Sequence, residues 1–412
     1  MTTRKLYFGD NLEIMREQVG DESVDLVYLD PPFNSKQSYN VLFKERDTRP
    51  SQAQIEAFDD TWHWTPETQH QFEVLMTSSD VPRELAKGLD AFRIMLGEND
   101  VMAYLVMMAP RLLELHRVLK ATGSMYLHCD PTASHYLKVI CDQIFDPRNF
   151  RNEIVWRRSN AHNKITTQYG PIHDTLLFYS KSPKFTFHPG RRPYTKAYIE
   201  DRFTLSDGRG RYQLNYLTGP GKRIGQSGAA WRGFDPTKVG RHWAVPASLR
   251  DFLPIRGARM STEAQLEALL SQDLIVFPKK VGGQPMYKQH VGPGIPYQDV
   301  WAYQPNTKGV LYQSDEHIDQ DVKWLEAEDE KLGFDTQKPV GLVTRIVDTS
   351  SNNGEVVLDP FCGCGTTVAA AEALGRSWNR HRHHLPCHRA DRAKIERHPP
   401  RHRLRSPRRS ER

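Results

Sequence analysis

The sequence predicts an α/β protein whose main sheet is mostly parallel, with an antiparallel hairpin and an inserted second domain. The first observation is the rhythm of strand, helix and strand in Lys5 to Phe8, Asn11 to Gln18 and Val24 to Leu29. The second is that this rhythm returns near residue 340, after a long middle region that lacks it. Such alternation favours a parallel sheet with helices packed on it.

The other elements of the sheet domain follow from the same periodicities. We expect a polar, aromatic-containing loop from Asp30 to about Pro82 and an apolar-periodic helix from about Asp100 to Leu119. Glu153 to Trp156 and Thr175 to Ser180 lie close enough in sequence to form the antiparallel hairpin. The remaining predicted elements are a strand at Ser124 to His128, helices at Ala133 to Ile144 and Val340 to Thr349, a strand at Glu355 to Leu358, and a helix capped by Thr366 and Thr367.

Length and composition set the broad class. A chain of 412 residues with 38% hydrophobic content is long enough for two or three domains with their own cores. Its longest apolar stretch, Val101 to Ala109, is far shorter than the roughly 20 residues that span a bilayer, so we expect a cytoplasmic protein with no membrane partner. Five cysteines without a CxxC pair indicate free thiols, and we expect no metal site.

The net charge of +6 is unevenly distributed along the chain. Residues 379–412 hold eleven Arg and one Lys against three acidic residues, a net of +9. Subtracting +9 from +6 leaves −3 for residues 1–378, so bulk basicity says nothing about nucleic-acid binding by the main body.

The first motif with chemical content is Asp30-Pro31-Pro32-Phe33, which directly follows the apolar strand Val24 to Leu29. Open α/β sheets bind their ligands at the carboxyl ends of the strands. The two prolines fix the backbone and remove donors, which leaves the Asp30 carboxylate and the Pro31 carbonyl as rigid acceptors beside an aromatic ring. A planar base with an exocyclic amino group offers matching donors and a matching flat face. A structural turn is the alternative interpretation of so short a motif.

The second motif, Asp359-Pro360-Phe361-Cys362-Gly363-Cys364-Gly365-Thr366-Thr367, also lies between a strand and a helix. Its glycines allow a tight turn and the close approach of a cofactor to backbone amides at the helix N-terminus. A metal site formed by the two cysteines is the less favoured interpretation, because no further ligands lie nearby in sequence.

Taken together and in this order, the motifs resemble the β-group of S-adenosylmethionine-dependent DNA amino-methyltransferases. The resemblance rests on DPPF at Asp30 to Phe33, TQKP at Thr336 to Pro339 and DPFxGxGTT, and it extends over residues 1–378. It also includes Gly9-Asp10-Asn11-Leu12, the stretch Tyr126 to Phe145 and Asn152 to Arg157. The resemblance implies a Rossmann-like methyltransferase sheet with circularly permuted motif order, because the catalytic motif precedes the cofactor motif.

The resemblance also implies residue roles. Asp30 and the Pro31 carbonyl would hold the target amino group, with Pro32 completing the motif and Phe33 stacking on a base flipped out of double-stranded DNA. Lys338 would approach the methionyl end of S-adenosylmethionine, and Asp10 its adenine amine. The cofactor loop would comprise Asp359, Phe361, Gly363, Gly365 and Thr366. Asp rather than Ser before the prolines favours adenine N6 over cytosine N4.

Residue types and motif order also predict the domain organisation. We expect the methyltransferase domain at 1–182 and 332–378, with a target-recognition domain at 183–331, where cations alternate with aromatic residues. Two other clusters are ambiguous. His128-Cys129-Asp130 suits structural roles better than ligand roles, and Trp62-His63-Trp64 either covers substrate or packs on the core.

The chain departs from the family pattern at residue 379. The family would continue with a buried strand such as Ile-Gly-Ile-Asp, whose acidic residue binds the cofactor ribose, whereas this chain has Asn379-Arg380-His381-Arg382. Codons for these residues, read one base later, permit Ile-Gly-Ile-Asp. We infer a frameshift near Trp378, expect 379–412 to be an aberrant, disordered basic tail, and expect the polar run not to enter the sheet. A native DNA-binding tail and a His and Cys metal site are the alternatives.

These observations predict a site-specific adenine-N6 DNA methyltransferase that works with or without a restriction endonuclease partner. The alternatives are a cytosine-N4 enzyme and a DNA-binding protein whose catalysis is impaired by the altered C-terminus.

Overall fold

The structure is a computed structural model, and it describes residues 4–32, 38–40, 56–59, 62–158, 169, 171–254, 260–280, 282–302, 310–313, 315, 317, 322 and 337–382. In chain order, its strands and α-helices are β1 (Arg4–Phe8), α1 (Asn11–Gln18), β2 (Val24–Leu29), β3 (Ser38–Asn40), β4 (Glu56–Asp59), α2 (Pro66–Thr77), α3 (Arg83–Leu96), α4 (Asp100–Val118), β5 (Leu119–Cys129), α5 (Ser134–Phe145), β6 (Phe150–Arg157), β7 (His173–Ser180), β8 (Arg191–Arg192), α6 (Lys196–Arg202), β9 (Leu205–Asp207), β10 (Gly210–Tyr216), β11 (Thr218–Pro220), β12 (Arg241–Trp243), α7 (Thr262–Ser271), β13 (Ile275–Val276), β14 (Met286–His290), β15 (Ile295–Pro296), β16 (Val300–Trp301), α8 (Val340–Ser350), β17 (Val356–Asp359), α9 (Thr366–Ala373) and β18 (Ser377–Arg382).

The chain divides into two compact units. The first comprises Met1–Gly190, Pro296–Thr307 and Asp319–Arg412, and the second comprises Arg191–Ile295 and Lys308–Ile318. Residues 183–190 and 296–302, which the sequence places in the middle domain, therefore belong to the first unit. Phe185 and Trp301 explain this placement, because both pack in the apolar core on one face of the sheet.

The first unit is built on an eight-stranded sheet in the order β1-β18-β17-β2-β5-β7-β6-β16. The seven pairings between neighbouring strands of this sheet are parallel except those of β7, which is antiparallel to both β5 and β6. The predicted fold class, a mostly parallel sheet with an antiparallel hairpin, is thus confirmed.

Side chains of alternate residues enter two different cores, as the period of a strand requires. Val27 and Leu29 of β2 face a core that also takes side chains from α1 to α5. Leu26 and Tyr28 face a second core, which is closed by α8 and α9. Helices therefore cover both faces of the sheet, as in other α/β proteins with parallel strands.

Two helices in the first unit are absent from the sequence-based prediction. Residues 66–77 and 83–96 form α2 and α3, where we expected a loop up to about Pro82 and made no assignment beyond it. The N-terminus of α2 carries a recognisable signal, because Thr65 caps the helix and Pro66 occupies its first turn. Trp62 and Trp64 pack on the same core as these helices, which supports a structural role for both rings.

The polar run that follows Trp378 does enter the sheet, which corrects our expectation. Ser377–Arg382 forms β18 and pairs in parallel with β1 on one side and β17 on the other. Both ladders use backbone groups, so they do not depend on apolar side chains. Arg380 is 4% exposed, with its guanidinium 5.3 Å from the centroid of the Trp378 ring, so a cation–π contact accompanies its burial. The rest of the predicted tail, 383–412, lies outside the described residues.

The second unit has its own core and a four-stranded antiparallel sheet in the order β13-β14-β10-β9. Strands β11 and β12 form a separate two-stranded ribbon. Ten buried residues make up the core, and they are Leu217, Trp231, Trp243, Leu249, Leu253, Leu266, Leu269, Leu274, Ile275 and Tyr287. No helix within the described ranges is long and apolar enough to cross a bilayer.

Candidate functional site

The two sequence motifs meet at the carboxyl ends of neighbouring strands. Asp30 follows β2, and Asp359 is the last residue of β17. The two strands pair directly, with Leu358 opposite Val27. The loops after both strands therefore emerge side by side at the edge where α/β sheets bind ligands.

Lys338 joins the first motif to the segment before α8. Its Nζ donates a hydrogen bond to Asp30 Oδ2 at 2.6 Å, and the side chains of Lys338 and Asp30 are 7% and 20% exposed. Asp30 Oδ1 has no hydrogen bond to the part of the chain that the structure describes. The ion pair thus fixes one oxygen of the carboxylate and leaves the other to accept a donor from a substrate.

Asp359 is a buried carboxyl group behind the first motif. Burial raises the pKa of Asp359 to about 7, although hydrogen bonds from the Thr367 side chain and the Phe361 amide oppose this shift. The negative charge of Asp30 raises this pKa further, and the positive charge of Arg380 lowers it. The charge of Asp30 in the first motif therefore acts on Asp359 in the second.

The glycines of the second motif adopt conformations that other residues avoid. Gly363 has φ +47° and Gly365 has φ +87°, and Gly365 is the N-cap residue of α9. We expected Thr366 and Thr367 to cap this helix, and that expectation is wrong: among the described residues no side chain caps α9. Instead, Thr366 Oγ1 donates to the Lys338 carbonyl at 3.3 Å, which ties the helix start to the segment that bears Lys338.

Asp10 and Asn11 connect the end of β1 to the second motif. Asp10 Oδ1 accepts from the Leu12 amide at 2.8 Å, and Oδ2 accepts from Arg111 Nη2 at 2.7 Å. The same guanidinium donates through Nε to Asn11 Oδ1 at 2.7 Å, and Asn11 Nδ2 donates to the Pro360 carbonyl at 2.9 Å. Arg111 therefore positions both residues, although no sequence motif singles it out.

The residues around the glycine loop fit S-adenosylmethionine. The left-handed glycines would allow backbone to approach a ligand closely, and the N-terminus of α9 suits its carboxylate. Asp10 keeps a side chain that is 36% exposed, so its carboxylate remains accessible to an amine. Of the remaining predicted site residues, Pro31 is buried and Pro32 half-buried, whereas Phe33 lies outside the described residues.

A buried polar network lies beneath Asp30, and sequence reasoning missed it as a unit. His128 Nδ1 is 3.1 Å from the Tyr28 hydroxyl, and its Nε2 is 3.3 Å from Asp174 Oδ2. Arg158 Nη1 lies 3.5 Å from the other oxygen of Asp174. Tyr28 precedes Asp30 by two residues, so the network approaches the site along the same strand.

Electrostatic interactions link this network to both motifs. Burial raises the pKa of Tyr28 well above its ordinary value, and the charges of Asp30, Asp359 and Asp174 add to the shift. Burial also acts to raise the pKa of Asp174, but the hydrogen bond with His128 and nearby positive charges, including Lys338, bring it below its ordinary value. Cys129 faces the opposite core from His128, so His128-Cys129-Asp130 does not converge on one ligand.

Comparison with known proteins agrees with this arrangement. A family model described as DNA methylase matches residues 24–379. The type II methyltransferase M.EcaI of Enterobacter cloacae is 27% identical over 67% of this chain and 54% of its own length. The StyLTI Mod subunit of a type III restriction-modification enzyme from Salmonella typhimurium is 25% identical over 92% of this chain and 51% of its own length. The DNA adenine methyltransferase YhdJ of Escherichia coli is 23% identical over 64% of this chain and 58% of its own length.

The chain thus spans little more than half the length of these relatives. The family match covers most of the chain and includes both motifs, the Lys338 segment and the start of β18. On this evidence, the chain belongs to the DNA methylase family of the N6 and N4 type.

Proposed function

We propose that this protein transfers a methyl group from S-adenosylmethionine to adenine N6 in double-stranded DNA. The observation that carries the proposal is the Asp30 carboxylate at the end of β2, which has one oxygen bound by Lys338. The glycine loop follows β17, the strand that pairs with β2. The cofactor supplies a methyl group bound to a positively charged sulfur. Asp30 Oδ1 accepts a hydrogen bond from the target amine and so orients its nitrogen for direct transfer.

The choice of adenine rests on two observations. Asp stands before the two prolines, which in the family pattern accompanies adenine N6, and one relative is named a DNA adenine methyltransferase. Cytosine N4 is the alternative substrate, because it presents a similar exocyclic amine on a flat ring. The bound base must leave the duplex to reach a site at the sheet edge, and Phe33 is the residue that we propose to stack on it.

We propose that the second unit recognises the DNA sequence, which refines our prediction of a recognition domain at 183–331. Its core is separate from those of the sheet unit and contains Trp231 and Trp243, so these two rings are not available for stacking. Exposed cations such as Lys222 and Arg223, and the exposed ring of Tyr216, suit contacts with phosphates and bases. A restriction endonuclease is the proposed protein partner, since one relative is named as the Mod subunit of a restriction-modification enzyme.

A catalytically impaired DNA-binding protein is the second candidate, and one observation favours it. Arg380 is buried with Nη1 3.9 Å from the Cys362 sulfur, directly beside the proposed cofactor loop. Codons read in the restored frame permit Gly at this position and Asp at position 382. This chain thus carries a large cation where the restored frame permits glycine, and it lacks the acidic residue expected to bind the cofactor ribose.

The test is transfer of a labelled methyl group from S-adenosylmethionine to unmethylated DNA, followed by separation of the nucleosides. We expect label in N6-methyladenine and none with Asp30→Ala, although that variant should bind DNA as well as the parent because Asp30 acts on the base and not on phosphates. Label in N4-methylcytosine would support the alternative substrate. DNA binding without label would support the impaired protein, and sequencing codons 370–400 would then test the frameshift.

A further inference from the structure

A loop in the second unit presents an apolar side chain between two cations. Residues 221–225 follow β11, and Lys222, Arg223 and Ile224 are all exposed. Ile224 is fully exposed, with no shielding from its own chain. An aliphatic side chain in this position gains free energy only when another molecule covers it.

The loop is held at its start by the ribbon. Strand β11 pairs with β12, and the final pair of this ladder joins Pro220 and Arg241. Beyond it, Nδ1 of the buried His242 donates to the Gly221 carbonyl at 2.9 Å. Gly221 has φ +84°, so the chain turns there in a conformation that a residue with a side chain would rarely adopt.

The end of the loop is held as firmly. The Gly228 amide donates to the Gly225 carbonyl at 3.0 Å, and a Cβ on Gly228 would lie 1.9 Å from the Arg223 carbonyl oxygen. The chain then enters the core of the unit through Trp231, and Trp243 Nε1 donates to the Ala229 carbonyl at 2.8 Å. Because both ends are anchored, the loop loses little conformational entropy when it binds a partner.

The surroundings of the loop are positively charged. Between residues 216 and 243 there are five cations and one carboxylate, and one of the cations, Arg232, pairs with Glu267 of α7. The segment still carries a net positive charge, in a protein whose residues 1–378 carry −3. Neither Lys222 nor Arg223 forms an ion pair within the described ranges. At the base of the ribbon, the Arg241 guanidinium lies 5.7 Å from the centroid of the Tyr216 ring, which is 58% exposed. Two cations without an ion pair beside an apolar tip, with an exposed ring at the base of the ribbon, fit DNA better than a protein surface.

We propose that Ile224 is an apolar wedge that inserts between stacked bases of duplex DNA, while Lys222 and Arg223 bind the adjacent phosphates. Apolar side chains of this kind unstack base steps when the flanking cations hold the backbone. The proposal rests on the proposed function, in that DNA is the ligand. It adds a device that separates neighbouring bases, which is needed before any base can leave the stack.

The experiment starts with selection of a preferred duplex from a random-sequence pool by the full chain. Adenines of this duplex are then replaced one at a time by 2-aminopurine, whose fluorescence rises when it is unstacked. The variants are Ile224→Ala and, as a matched control, Ile94→Ala, because Ile94 is also exposed, at 79%, but lies on α3. Both positions are at the surface, so both variants should retain the melting temperature of the parent.

We expect Ile224→Ala to lose the fluorescence rise at one step and to bind the duplex about tenfold more weakly, which corresponds to about 1.4 kcal/mol. Ile94→Ala should match the parent in both measurements. Lys222→Ala and Arg223→Ala should keep the fluorescence rise and each reduce the salt dependence of log K by about 1.

Weaker binding by Ile224→Ala with an unchanged fluorescence rise would show a surface contact and overturn the wedge. Identical behaviour of Ile224→Ala and Ile94→Ala would also overturn it. If the parent chain selects no duplex at all, the proposed function fails and the wedge fails with it, whereas selection without a fluorescence rise refutes the wedge alone.

Discussion

Lys338→Met tests whether the Lys338 ammonium group serves Asp30 or the cofactor. Met keeps the length of the buried aliphatic stem and removes the charge that donates to Asp30 at 2.6 Å. A charge-assisted hydrogen bond of this kind contributes about 1.5 to 3 kcal/mol to stability. Asp30 is 20% exposed, so water replaces part of the lost donor and we expect a value near the lower end.

The assay is a double-mutant cycle with Asp30→Asn, read out by urea unfolding, which does not require an active enzyme. We expect a coupling free energy of about 1.5 kcal/mol between the two substitutions. Lys87→Met is the matched control, because Lys87 is exposed on α3 and its replacement should not couple to Asp30. Additive effects of Lys338→Met and Asp30→Asn, within about 0.5 kcal/mol, would refute the ion pair.

Calorimetric titration of S-adenosylmethionine separates the two roles of Lys338. If Lys338 serves Asp30, as the hydrogen bond indicates, Lys338→Met should change cofactor affinity by less than about threefold. If Lys338 binds the methionyl carboxylate, as the family resemblance implies, affinity should fall by about tenfold or more.

Three further predictions follow from burial and charge. The pKa of Asp359 is raised to about 7 from an ordinary value of 3.8, so between these values the folded protein keeps this carboxyl group protonated while the unfolded chain loses the proton. The free energy of unfolding should therefore decline by roughly 1.4 kcal/mol per pH unit as pH rises between about 4 and 7. Urea unfolding of Asp359→Asn across that range should lack this decline, and a parallel decline in the variant would contradict the assignment. Tyr28→Phe and its control Tyr126→Phe each remove a buried hydroxyl and should each destabilise the fold by about 1 to 3 kcal/mol. Only Tyr28→Phe should slow methyl transfer, because the Tyr126 hydroxyl forms its hydrogen bond with a serine of α8. Equal rates in single-turnover assays would remove Tyr28 from the site. Arg380→Gly should strengthen S-adenosylmethionine binding in calorimetry because it vacates the space beside the cofactor loop, and unchanged or weaker binding would show that the guanidinium does not obstruct it.

Local sequence signals were sufficient for the elements that carry the motifs. Helix α1 and strand β2 have the bounds that their periodicity predicts, and Asp30 and Asp359 lie at the strand ends where the motifs placed them. These features depend on residues close together in the chain, so a single sequence contains the information.

Contacts between residues far apart in sequence could not be predicted from local patterns. Lys338 and Asp30 are 308 positions apart, and Tyr28 and His128 are 100 apart, so neither pair leaves a local pattern. Arg111 was hidden for another reason, because an arginine near the middle of an amphipathic helix is usually a solvated surface residue. The prediction for β18 was wrong because it considered only the polarity of the side chains. It left out the backbone hydrogen bonds that β18 forms with a strand on each side.

The position of β1 in the sheet has a consequence for synthesis of the protein. Within the described part of the chain, β1 pairs with β18 and with no other strand, although more than 360 residues separate the two in sequence. At about 5 to 20 residues per second, roughly 20 to 75 s separate the appearance of residues 4–8 from that of residues 377–382. During this interval, the edge of β2 that later pairs with β17 is also open. Once residue 318 has been made, the second unit is complete while the nascent chain still carries exposed strand edges. Chaperone occupancy between this point and the synthesis of β18 should be higher than for a relative whose sheet is completed earlier in synthesis.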